Sequence, residues 1–152
     1  LSSFLKIHRC GLIALLYQVD RVIIPTAVHR ELAQTDLLPQ LLSIPWIHVS
    51  TVGSALDEAL PQNATFQALG AGEQECIVLA LALSEAILLM NDNKARQFAR
   101  LLGVTVVNIP AFLLACKRGD LLNREQMSEI IDALRIEDYY QLRPEIQRAL
   151  LE

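Results

Sequence analysis

Three acidic side chains, Glu31, Glu73 and Asp92, stand where this sequence could most readily host chemistry. Asp92 lies just past a short apolar run ending at Met90, and Glu73 lies in the first turn of an apolar helical stretch that precedes that run. Glu31 follows Pro25 by about one and a half helical turns. Each also has a structural reading. Asp92 can cap a helix opening near Lys94. Glu73 can complement the positive end of its helix dipole, an effect of about 0.3–1 kcal/mol. Glu31 can be a solvated charge on a helix face. Singly, none of the three decides between these readings.

The elements that must position them are short. Arg21-Val-Ile-Ile24 is a β-branched run stopped by Pro25, after which Thr26 can cap a helix through Val28 and Leu32. Leu37 to Leu42 suits a helix ending before Pro45, Trp46 to Thr51 alternates as a strand should, and Asp57 to Leu60 suits a turn of helix ending at Pro61. Gly70-Ala-Gly-Glu-Gln-Glu75 leads into Cys76 to Leu83, which is apolar almost all round and predicts an interior helix. Ala86 to Met90 has strand length, Asn91-Asp92-Asn93 opens a helix from Lys94 to Leu102, Gly103 ends it, and Val104 to Val107 is the next strand. Helices are expected at Pro110 to Lys117, Asn123 to Leu134 and Pro144 to Leu151, and two short helical pieces between Phe4 and Tyr17 with a break near Gly11. The strand–helix–strand rhythm with short connections predicts an α/β fold with a parallel sheet covered by helices. In such sheets ligands gather beyond the carboxyl ends of the strands, where Asp92 and Glu73 fall and toward which Glu31 can project.

Composition narrows the function classes. A chain of 152 residues fits one domain, since it buries roughly two-thirds of its unfolded surface. Its 53% hydrophobic content and mean hydropathy of +0.34 suggest a filled core plus an apolar surface for a partner or a second copy. The longest apolar run, Cys76 to Leu83, falls far short of the roughly 20 residues of a membrane span. Without an export leader, a soluble cytoplasmic protein is expected. A net charge of −4 disfavours holding nucleic acid by bulk electrostatics, so any such role must be local or supported by bound cations. Cys10, Cys76 and Cys116 are odd in number and widely spaced, and read as small buried hydrophobes. Gly70-Ala-Gly72 makes a poor nucleotide loop, because further glycines are missing and Glu73 would repel phosphate.

Read together, three segments carry more than their parts. Ile23-Ile-Pro-Thr-Ala-Val-His-Arg-Glu-Leu32, Leu69-Gly-Ala-Gly-Glu-Gln-Glu-Cys-Ile-Val-Leu-Ala80 and Leu88-Leu-Met-Asn-Asp-Asn-Lys-Ala-Arg96 resemble successive motifs of PIN-like nuclease domains. They are most similar to a group of small PIN-like proteins related to the VapC toxins of bacterial toxin–antitoxin pairs. Ile109-Pro-Ala-Phe-Leu-Leu-Ala-Cys-Lys-Arg-Gly-Asp-Leu121 is similar to that group's next segment, and the resemblance reaches to about Leu122. It implies a three-layer PIN-like fold with a short parallel sheet flanked by helices. It also implies a cluster of four acidic residues that holds Mg²⁺ or Mn²⁺ and cleaves RNA, in which Glu31, Glu73 and Asp92 match three of the four. Carboxylates crowded together repel one another unless a cation compensates, and a hard divalent ion takes oxygen ligands while keeping a face for phosphate. It would stabilise charge on the phosphorus oxygens and lower the pKa of a water.

On this pattern Lys94 and Arg96 would steady a substrate phosphate or sit on a solvated face, and Asn91 and Asn93 flank the aspartate. His8 and His29 read as surface or packing residues, and Glu75 as solvated or paired on another part of the helix circumference. The fourth acid of the pattern ends a first, central strand, and would fall just before Leu1-Ser-Ser-Phe-Leu5. With that strand and aspartate missing, the expectation is weak or no cleavage by these residues. The resemblance further implies a cognate antitoxin and a homodimer or higher homo-oligomer as partners; the competing reading is a PIN-like interaction module without catalysis.

Overall fold

A computed structural model describes residues 21–35, 39, 43–52, 60–83, 85–137 and 139–152. The expected helices between Phe4 and Tyr17, together with His8 and Cys10, lie outside the described residues, as do most of Leu37 to Leu42 and the stretch from Asp57 up to Leu60. The described chain forms two compact units, 21–107 and 108–152.

The first unit carries the strands. β1 (Val22–Pro25) runs parallel to β2 (Ile47–Ser50), with Val22 opposite Ile47 and Pro25 opposite Ser50. β3 (Ile87–Leu89) runs parallel to β4 (Thr105–Val107), with Leu88 opposite Val106. Parallel pairing requires a crossover rather than a tight turn, and helices supply it: α1 (Thr26–Leu32) follows β1, and α4 (Asn93–Leu101) joins β3 to β4. Between the two pairs come a 3₁₀ turn (Leu60–Gln62), α2 (Ala64–Gln67) and α3 (Ala71–Ala82). Helix α3 touches both β1 and β3, so it spans the two strand pairs. The α/β class with short parallel strands and covering helices is therefore the one the sequence predicts.

Several local details differ from expectation. Thr26 is the first helical residue of α1 rather than its cap, because Pro25 keeps extended backbone (φ −67°, ψ 159°) while still paired in β1. The Thr26 hydroxyl instead donates to the Ser50 carbonyl at 3.3 Å. Helix α3 begins at Ala71, several residues before the apolar run, with Gly70 at its cap position. It is less interior than its composition suggests: Gly72, Ile77 and Val78 are buried, but Leu81 is 41% exposed. Helix α2 was not expected; Asn63 starts it by accepting from the Thr65 and Phe66 amides at 2.9 and 3.1 Å.

The core of this unit joins Phe66, Ile77, Leu88, Phe98 and Val106. The Phe66 and Phe98 rings pack tilted with centroids 6.0 Å apart, within the range of favourable aromatic pairs. Gly103 has φ +83°, a left-handed backbone that lets α4 stop at Leu101 and β4 begin at Thr105.

The second unit is helical. α5 (Ile109–Arg118) starts with Asn108 accepting from the Ala111 amide at 3.0 Å. α6 (Arg124–Glu137) opens with a reciprocal cap, in which the Gln126 amide donates to Asn123 Oδ1 and the Asn123 amide to Gln126 Oε1. α7 (Pro144–Leu151) packs on α5 and α6, and Lys117 Nζ donates to the Ala149 carbonyl at 2.6 Å. Leu113, Met127, Leu134 and Leu150 are almost fully buried. Among the described residues, no helix is long and apolar enough to cross a membrane.

Candidate metal centre

Helices α1 and α3 pack on each other, and a glycine sets how closely. A Cβ placed on Gly72 would lie 3.0 Å from Glu31 Oε1 and 3.2 Å from Val28 Cγ2. Gly72 is thus a close-approach position, and its missing side chain is what lets the Glu31 carboxylate rest on the first turn of α3. Glu73 occupies that same turn. Its carboxylate folds back over Gly70, where an added Cβ would collide with Oε2. The Gly-x-Gly spacing that fails as a nucleotide loop thus clears room for two carboxylates.

A third carboxylate belongs to the same neighbourhood. Glu75 Oε2 accepts a hydrogen bond from the Ala27 amide at 2.7 Å, which ties α3 to the N-terminus of α1. Of the two sequence readings of Glu75, paired is the one observed. Burial pushes the Cys76 thiol up from 9.0 to about 12, and Glu73, Glu75 and Glu31 add to the rise. All three carboxylates are therefore within electrostatic reach of one sulfur. Cys116 is buried and its thiol is raised by burial as well, in keeping with both cysteines acting as small hydrophobes.

Asp92 sits elsewhere, exposed at the start of α4, where Oδ1 accepts from the Ala95 amide at 2.8 Å. Arg96 reaches back along the same turn: Nη1 donates to the Asn91 carbonyl at 3.2 Å and Nη2 to Asn93 Oδ1 at 2.8 Å. It braces the loop that carries Asp92. Lys94 is exposed. His29 is half-buried on α1.

In kind, these donors suit a hard divalent ion, since all are carboxylate oxygens. In place, the Glu31 carboxylate of α1 rests against the first turn of α3, which bears Glu73, whereas Asp92 caps α4. Among the described residues, no group of three or more His, Cys, Asp and Glu side chains is gathered so as to hold a metal ion. A cavity of about 220 Å³ lies in the second unit, lined by Asp132, Arg135, Tyr140 and Gln147 among others, and includes none of these acids.

What the sequence did not disclose is the Glu75–Ala27 bond. Its one local signal is negative: Pro25 offers no side-chain acceptor at the start of α1, so an amide there needs a partner from elsewhere.

Neither the curated proteins nor the solved structures include a match to this chain. A family model does match: DUF3368, described as a PIN domain, over residues 1–152. The chain belongs to the PIN domain family, whose members are nuclease-type domains that in general use divalent metals.

Proposed function

We propose that this PIN domain is a ribonuclease related to the VapC toxins, hydrolysing RNA phosphodiester bonds with Mg²⁺ or Mn²⁺, for which Glu31, Glu73 and Asp92 would supply carboxylate ligands once the ion draws Asp92 to the other two. The observation that carries the reading is the approach of α1 to α3 at Gly72, which sets the Glu31 carboxylate on the turn that bears Glu73. The ion, when bound, supplies positive charge against the phosphate oxygens. The chain's own residues do the rest. Glu31 on α1 and Glu73 on α3 would hold the ion from two helices, and Asp92 would add a carboxylate from the carboxyl end of β3. Lys94 takes a substrate phosphate, and Arg96 holds the Asn91–Asn93 turn in shape.

Cleavage requires the right RNA as well as the ion, whereas ion binding tests the three carboxylates directly. Metal binding is the sharper readout. We expect saturable Mn²⁺ binding by calorimetry or paramagnetic relaxation, weakened at least about tenfold in a Glu73→Gln, Asp92→Asn double variant. Equally poor binding by both proteins would overturn the reading.

A second reading has its own observation. Ile87 is 65% and Leu101 85% exposed, the kind of apolar surface that a protein partner covers. A non-catalytic interaction module, docking an antitoxin-like protein or a second copy of the chain, would bind no Mn²⁺ and would change oligomeric state when Leu101 is replaced by a charged residue. Both readings are of a cytoplasmic protein.

A further inference from the structure

We infer that Glu75 is a positioning residue: its carboxylate caps helix α1 from helix α3 and so holds Glu31 against Gly72. The functional part of this inference rests on the metal-site reading above.

Helix α1 has seven residues, too few to persist without tertiary contacts. The first amides of any helix lack partners within it. At α2, α4 and α5 a local side chain supplies the acceptor: Asn63, Asp92 and Asn108 respectively. At α1 the cap position is Pro25, which has no side-chain acceptor, and the first turn holds no acidic residue. The Ala27 amide is satisfied instead by Glu75 Oε2, 48 residues away in sequence. At 2.7 Å the bond falls in the short range of charge-assisted hydrogen bonds. A carboxylate there also complements the positive end of the helix.

The register of the two helices makes this bond a positioning device. Ala27 and Glu31 are four residues apart on α1, hence on one face. Gly72 and Glu75 are three apart on α3, likewise on one face. Two points of attachment result: Glu75 to Ala27 at the start of α1, and Gly72 against Val28 and Glu31 one turn later. Even a Cβ at Gly72 would stand only 3.0 Å from Glu31 Oε1 and 3.2 Å from Val28 Cγ2, so α1 lies close on α3 there, and a slide or rotation of α1 moves Glu31 relative to the turn that bears Glu73. Fixing the start of α1 removes that freedom.

The test compares the full chain with Glu75→Ala and Glu75→Gln, reading amide hydrogen exchange and Mn²⁺ affinity. Gln keeps an acceptor oxygen but loses the charge. We expect the Ala27 amide to exchange at least about tenfold faster in Glu75→Ala, with β3 and β4 amides unchanged, and within about threefold of the parent in Glu75→Gln. Mn²⁺ affinity should follow the same pattern, falling about tenfold in the Ala variant and recovering in the Gln variant. Glu75→Met, of similar size and without an oxygen, replaces the Ala variant should that fail to fold. Unchanged Ala27 exchange in Glu75→Ala would overturn the inference. So would a Gln variant that loses Mn²⁺ as fully as Ala while Ala27 stays protected, since Glu75 would then be a ligand itself. If no protein binds Mn²⁺ but Ala27 exchange responds as expected, the metal-site reading fails and the tether stands.

Discussion

The candidate acids of this protein, Asp92 on one side and Glu31 with Glu73 on the other, sit at two places built in opposite ways. At α4 the arrangement is local: Asp92 caps its own helix through Ala95, and Arg96 braces the same turn through Asn91 and Asn93. At the junction of α1 and α3 the ties between the helices are long-range. Glu31 reaches Gly72 across the helix interface, and Ala27 takes its acceptor from Glu75. The first place owes its geometry to neighbours in sequence, the second to packing. Substitutions should therefore act differently at the two places.

The largest effect is expected at the interface. Gly72→Leu forces a side chain into space held by Glu31 and Val28 and should destabilise the fold by about 3 kcal/mol, read by urea unfolding. A loss under about 1 kcal/mol would mean that α1 yields easily and that its approach to α3 is not tightly set. Next comes the cap. Asp92→Ala should cost about 1 kcal/mol, whereas Asp92→Asn, an equally good cap, should stay within about 0.5 kcal/mol. Loss of Mn²⁺ affinity in the stable Asn variant would separate ligation from capping.

A smaller change in stability is expected for Glu31→Gln, within about 0.5 kcal/mol, because the substitution keeps size and relieves crowding of like charge. Its Mn²⁺ affinity should nonetheless fall. The smallest effect is confined to alkaline pH. The Cys76 thiol is held up to about 12, so between its ordinary value of 9.0 and that point the folded chain keeps a proton that the unfolded chain releases. Its contribution to stability is complete below pH 9 and declines as pH rises toward 12. Alkylation of Cys76 by iodoacetamide at pH 9, followed by peptide mapping, should be slow in the folded protein and fast in urea.

The same contrast explains what could be read from the sequence. Local signals were legible: β-branched runs gave β1 and β4, Gly103 gave the end of α4, and Asp92 stood ready as its cap. Four-residue α2 is too short to show periodicity, and Thr26, which reads as a cap, falls inside α1 because Pro25 remains in the strand. Leu81 was expected inside since composition cannot tell which face of an apolar helix is covered. Glu31 and Glu73 were picked out by motif, but the role of Gly72 in admitting Glu31 and the bond from Ala27 to Glu75 depend on how two distant helices meet.

The long span of that bond also bears on the order in which the molecule assembles. Helix α4 has its cap within its own first turn and can form as soon as that segment is free to fold. Helix α1 must wait until α3, 48 residues downstream, has been synthesised and brought back to it, against the entropy of closing the intervening loop. Mutations at Glu75 should therefore speed unfolding while leaving the refolding rate almost unchanged, the kinetic signature of a contact made after the transition state.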